Sequence, residues 1–176
     1  TIGESAQGLA TYVLEQIEGQ TQPSCAIAYD TRHQSRHFAE LCASIMVANG
    51  FKVYFLDDYR ATPQLSFAVR HKGCDCGIMV TASHNPPSDN AVKVYWSTGG
   101  QVLPPHDKAI IERVMGVEEI KRTDFAAAVR AGKVEIATRE PIRHADRYPP
   151  RPLLLLAGER DKAIPFACVE NTVQRF

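Results

Sequence analysis

Apolar residues recur along this chain first at intervals of three and four, then in short unbroken runs, and then at three and four again. Ala6, Leu9, Ala10, Val13, Leu14 and Ile17 form one apolar stripe, which predicts a helix from Glu4 to Glu18 ended by Gly19. Cys25 to Tyr29 is an apolar run between Pro23 and Asp30 and predicts a buried strand. A second helix is expected from Ser35, with Phe38, Leu41, Cys42, Ile45 and Met46 inward and Gly50 as a left-handed terminator. Phe51 to Leu56 and Cys76 to Val80 are further strands. Between them, Thr62 and Pro63 read as N-cap and first position of a helix reaching about His71.

This alternation of strand and helix predicts an α/β fold, a three-layer sandwich with a mixed, mainly parallel sheet between helices. Ala91 to Trp96 follows the third strand too closely for a helical crossover, so an antiparallel neighbour is expected there. Beyond the Gly99-Gly100 turn, the pattern predicts a helix from Asp107 to Met115, another capped by Thr123, and a last strand from Lys133 to Ala137. Residues 138–151, rich in Arg and Pro, read as a linker after a domain spanning 1–137. Residues 152–176 form a tail with a leucine run at 153–156 and no evident partner.

Composition narrows the classes. The 176 residues are 44% hydrophobic and 23% charged, with twenty basic residues balancing twenty acidic ones. That balance gives no footprint for nucleic acid or anionic membrane. The longest purely apolar run, Leu153 to Ala157, is far too short to span a bilayer, and no signal peptide pattern opens the chain, so a cytoplasmic protein is expected. Five cysteines with one Cys74-x-Cys76 pair and no second pair point to buried, reduced thiols rather than a zinc site.

The candidate chemistry lies in Thr81-Ala82-Ser83-His84-Asn85-Pro86-Pro87, placed where the third strand ends. In open α/β sheets ligands bind beyond the carboxyl ends of the strands. Ser83 in such a loop can cap a turn, bind a phosphate or act as a nucleophile. Lys93, across the loop, could fold back as a phosphate-binding point charge or a proton carrier. There is no Gly-x-Ser-x-Gly elbow for acyl transfer and no Walker-type phosphate loop. The plain alternative is a Ser/Asn turn that satisfies its own backbone, stiffened by two prolines.

The run Gly77 to Pro86 resembles the phosphoserine loop of the α-D-phosphohexomutases. Ala28-Tyr29-Asp30-Thr31-Arg32 is similar to that family's early strand ending in an acidic residue and an arginine, and Ala61-Thr62-Pro63 to its next helix start. Lys93 to Trp96, Gly100 to Val102 and Pro105 to Lys108 look most like the phosphoglucomutase/phosphopentomutase branch. The resemblance covers roughly residues 5 to 136, the first of four domains. It implies that Ser83 is phosphorylated and passes its phosphoryl group to a hexose or pentose phosphate, through a bisphosphorylated sugar that also serves as activator. It implies that a phosphate oxygen on Ser83 is one ligand of a Mg²⁺, that Lys93 assists proton transfer, and that His84 and Asn85 shape the loop near the phosphoryl group. Arg32 would support the site electrostatically and bind phosphate. Arg32 as a surface ion-pair partner and His84 as a structural residue are the plainer readings.

Departures from the family pattern bound the expectation. Ala91 stands after Asn90 where glycine is frequent. No Asp-x-Asp-x-Asp-Arg run, no Gly-Glu-x-Ser-Gly specificity loop and no C-terminal phosphate-binding loop occur in the sequence. The remaining Mg²⁺ ligands would therefore come from missing domains or another chain, and little turnover is expected from this chain alone. Two other classes remain open: a phosphosugar-binding module without turnover, and a fused α/β-hydrolase fragment around Asp161, which the tail faintly resembles.

Overall fold

The computed structural model describes residues 1–17 and 22–137. Gly19, the 138–151 linker, the 152–176 tail and Asp161 lie outside the described residues.

Five strands and five helices follow one another as the hydrophobic pattern predicts, alternating as far as the third strand and then running strand, helix, helix, strand. They are α1 (Ile2–Gln16), β1 (Ser24–Tyr29), α2 (Ser35–Ala48), β2 (Lys52–Leu56), α3 (Thr62–Lys72), β3 (Cys76–Val80), β4 (Val92–Trp96), α4 (His106–Met115), α5 (Phe125–Arg130) and β5 (Val134–Ala137). They build one five-stranded sheet in the order β4-β3-β1-β2-β5. All neighbouring pairs are parallel except β3 and β4, which run antiparallel in the register Met79 opposite Lys93 and Val80 opposite Val92.

Alternation along the strands splits the core in two. Cys25, Ile27, Tyr29, Val53, Phe55, Cys76, Ile78 and Val80 join the apolar faces of α1, α2, α4 and α5. Ala26, Ala28, Leu56, Met79 and Tyr95 meet Leu65, Ala68 and Val69 of α3 on the other face. Small residues bring α3 close: a Cβ on Gly77 would come within 2.6 Å of Val69 Cγ2. Cys74 and Cys76 fall in different cores and are both free and buried, as are Cys25 and Cys42.

Three details differ from the sequence pattern. Leu14, expected inward, is exposed, because α1 turns Gly8 and Tyr12 inward as well and packs against α4. Ala61 rather than Thr62 is the N-cap of α3, and the Gln64 side chain accepts the Ala61 N–H at 3.0 Å. Asp124 rather than Thr123 caps α5, its carboxylate accepting the Ala127 N–H at 2.7 Å. Gly50 follows α2 with φ +93°, the left-handed terminator expected there.

The four parallel strands place Asp30, Asp57 and Thr81 at one edge of the sheet. β4 begins at that same edge. The loops 30–34, 57–61 and 81–91 gather there, and the candidate site is made by the first and third.

Candidate active site

β3 is buried at every position from Cys76 to Val80. Beyond it, Thr81 and Ala82 remain buried while every residue from Ser83 to Asp89 is exposed. The loop therefore cannot be held by apolar burial. It is held by hydrogen bonds from the end of β1.

Arg32 supplies most of them. Its side chain is 8% exposed and runs beneath the loop. Nη2 donates to the Ser83 carbonyl at 2.6 Å, and Nη1 donates to the carbonyls of Pro86 at 2.5 Å and Asp89 at 3.2 Å. Nε lies 3.3 Å from Asp30 Oδ2, an ion pair without a directed hydrogen bond. The planar fork of a guanidinium suits several acceptors at fixed angles. The two prolines have no N–H to satisfy, and their carbonyls are both anchored: Pro86 by Arg32 and Pro87 by the His33 N–H at 2.9 Å. Asn90 closes the far side, its amide donating to the His33 carbonyl at 2.7 Å. The Thr81 N–H donates to the Ala91 carbonyl at 3.0 Å. Ala91 is not among the positive-φ residues, so alanine costs nothing where the family pattern has glycine.

Ser83 itself has φ +59°. A left-handed backbone costs a residue with a Cβ about 1–2 kcal/mol. Hydrogen bonds to a charged group are worth about 1.5–3 kcal/mol each. The Arg32 clamp is thus ample to hold the strained turn, and strain of this kind gathers at functional sites. Ser83 is exposed, and its Oγ makes no hydrogen bond with any described residue.

The structure brings Arg32 and Ser83 into direct contact, but through the serine's backbone. Two of the Arg32 nitrogens are taken by carbonyls and the third faces Asp30, so Arg32 supports the loop from below. His84 and Asn85 share the exposed tip, and their side chains make no hydrogen bond with a described residue. Lys93 stands opposite Met79 on β4, on the sheet face that α3 covers, and makes no ion pair among the described residues. Sequence reasoning did not single out Thr81, whose hydroxyl contacts both Asp30 and Ser83, or the tether by Asn90. Asp30 stands out in the sequence only as the acidic end of a strand. The contacts of Thr81 with Asp30, of Asn90 with His33 and of Arg32 with Asp89 join residues 51 to 57 positions apart, which no local periodicity displays.

Among the described residues no group of three or more His, Cys, Asp or Glu could hold a metal ion. A single serine phosphate cannot complete an octahedral oxygen shell. The described residues thus do not fit a complete Mg²⁺ site. No helix among them is long and apolar enough to cross a membrane.

Residues 1–121 match the family described as phosphoglucomutase/phosphomannomutase, alpha/beta/alpha domain I. A phosphoglucomutase of Staphylococcus saprophyticus is 38% identical over 143 residues, which are 80% of this chain and 25% of that protein. A probable phosphoribomutase of Schizosaccharomyces pombe is 43% identical over 110 residues, 62% of this chain and 19% of that one. The human phosphopentomutase is 39% identical over 120 residues, 65% of this chain and 20% of its own. Among solved structures, the open form of the phosphoglucomutase pp63/parafusin from Paramecium superposes with a TM-score of 0.67 at 17% identity, over 82% of this chain and 30% of that chain. That likeness concerns the fold. The chain spans between 19% and 25% of the length of these curated relatives. With a sheet of this order, a serine loop at its carboxyl edge and a match over residues 1–121, the chain belongs to the phosphoglucomutase/phosphomannomutase family through its domain I.

Proposed function

We propose that residues 1–137 are the phosphoserine domain of a phosphosugar mutase, with Ser83 as the group that carries the phosphoryl. The observation that supports this most is the Ser83 turn: an exposed serine in a strained left-handed backbone, its peptide clamped by Arg32 and its Oγ without a hydrogen bond to any described residue. A turn that served only to satisfy itself would have no reason to hold a serine rather than a glycine at φ +59°.

In this reading the Ser83 Oγ attacks the phosphorus of a bisphosphorylated sugar. The P–O bond to the sugar breaks, its electron pair stays on the sugar oxygen, and the serine proton ends on that oxygen. The product is phosphoserine and a sugar monophosphate, and the reverse step returns the phosphoryl group to the sugar's other hydroxyl. Charge spreads over the transferring phosphoryl group, so cations near it matter most. Lys93, on the strand that follows the loop and without an ion pair among the described residues, has the role of placing charge and moving a proton at the sugar hydroxyl. His84 and Asn85 offer polar groups at the exposed tip. Arg32 acts by holding the loop. Mg²⁺ is the metal this family membership implies; the described residues offer it one ligand, the oxygen on Ser83, and no step above runs through it. The substrate class is a hexose or pentose phosphate, as the names of the relatives suggest. The setting we propose is cytoplasmic.

The test is phosphopeptide mapping of the chain after exposure to glucose 1,6-bisphosphate. A single modified residue, Ser83, is expected, with none in Ser83→Ala. Sustained conversion of glucose 1-phosphate to glucose 6-phosphate is expected to be close to background for this chain alone. Robust Ser83-dependent turnover would show that the domain suffices.

A further inference from the structure

We propose that Asp30 and Thr81 are positioning residues for Ser83, which they hold by both ends of its own peptide backbone; this rests on the reading of Ser83 as the phosphoryl carrier. Two chains of contacts start from one carboxylate. In the first, Thr81 Oγ1 lies 2.5 Å from Asp30 Oδ2 and 3.1 Å from the Ser83 nitrogen. An ionised carboxylate only accepts hydrogen bonds, so the threonine hydroxyl donates to Asp30. Its lone pair is then left to accept the Ser83 N–H, and the direction of both bonds is fixed. In the second, Asp30 Oδ1 accepts the Arg32 N–H at 3.1 Å and Oδ2 pairs with Arg32 Nε, while Arg32 Nη2 donates to the Ser83 carbonyl. One arm thus ends on the N–H of Ser83 and the other on its C=O.

Holding both ends of one residue fixes its φ and ψ together. That explains why Ser83 stays at φ +59° although no described side chain hydrogen-bonds its Oγ. Thr81 is suited to the task. It is 6% exposed, it continues directly from β3, and its branched Cβ restricts the hydroxyl to few rotamers. Its donor and one acceptor site are both used. Asp30 is in turn held by its place at the end of β1, where its own N–H donates to the Val80 carbonyl at 3.3 Å. The nucleophile's direction is therefore set by the pairing of β1 with β3, relayed through one carboxylate.

The experiment compares the full 176-residue chain with Thr81→Val, Thr81→Ser and Ser83→Ala. Valine keeps the shape of threonine without the hydroxyl. Two measurements are made on each chain. Amide exchange, HN–Hα coupling and carbon shifts report the Ser83 N–H and the sign of its φ, and mass spectrometry follows phosphoryl transfer from glucose 1,6-bisphosphate to Ser83. In Thr81→Val, the Ser83 amide is expected to lose its protection and φ to leave the left-handed region, while amides of β1 and β3 keep theirs. The transfer rate is expected to fall by roughly 10- to 100-fold. Thr81→Ser restores protection, φ and most of the rate. A left-handed, protected Ser83 in Thr81→Val would overturn the proposal, and so would a wild-type transfer rate in that variant or failure of serine to rescue. If protection and φ follow the hydroxyl but no chain accepts a phosphoryl group, the positioning role stands and the phosphoserine reading fails.

Discussion

β3 and the loop that leaves it are adjacent in the chain and opposite in what holds them. From Cys76 to Val80 every residue is buried, and the strand is fixed by packing between two helix layers. From Ser83 to Asp89 every residue is exposed, and the loop is fixed by the Arg32 guanidinium and the Thr81 hydroxyl, both of which meet the Asp30 carboxylate. Apolar packing is roughly proportional to area and has little directional preference, so it gives stability. Hydrogen bonds to charged groups are directional, so they give orientation at modest net stability. Stability and chemistry should therefore respond to different substitutions.

The largest effect on stability is expected on the packed side. Ile78 is fully buried at the middle of β3, an interior strand of the sheet, and Ile78→Ala should cost about 2–5 kcal/mol. Denaturant unfolding checks this, and the molecules that stay folded should accept a phosphoryl group at nearly the wild-type rate. Arg32→Lys probes the other side. An ammonium cannot fork to three carbonyls, so the phosphoryl transfer rate should fall steeply for a stability loss of about 1–3 kcal/mol. If Ile78→Ala slowed transfer as much as Arg32→Lys, the division between packing and positioning would collapse.

Alkaline titration tests the core alone. Burial pushes the Cys42 and Cys74 thiols up from 9.0 to about 12 and raises Cys25 as well. The unfolded chain ionises these thiols near 9.0, whereas the folded chain holds its protons to about 12. The stability they contribute is thus complete below about pH 9 and is lost as pH rises towards about 12. Denaturant midpoints measured from pH 8 upward should fall in that window, and thiol reagents should reach these cysteines only on unfolding. The smallest effect belongs to the loop. Ser83→Gly removes the left-handed penalty and should raise stability by about 1 kcal/mol while abolishing phosphoryl transfer. A loss of stability would mean that the turn is not strained.

The two regions also differ in how far the sequence displays them. β3 spans Cys76–Val80, the same bounds its apolar run predicts, and the close spacing of Ala91 to Trp96 after the loop announces an antiparallel neighbour. Buried strands are written in consecutive residues, and a reader of periodicity finds them. Leu14 shows the limit even there: its place in the stripe of α1 is regular, but only the docking of α4 decides which side of that stripe is covered. Ser83, His84 and Asn85 are visible as a motif at a strand end. The hydroxyl of Thr81, the two faces of the Asp30 carboxylate and the Arg32 contacts with Ser83, Pro86 and Asp89 are visible only once β1 and β3 lie side by side. The sequence carries the residues, and the sheet order carries their meaning.

The most direct test of the central claim compares the folded chain with the same chain in urea, each exposed to glucose 1,6-bisphosphate and then examined by intact mass and peptide mapping. One phosphoryl group on Ser83 in the folded chain, with none in the unfolded chain, is the predicted result. Equal labelling of both states, or labelling of the folded chain at residues other than Ser83, would contradict the account.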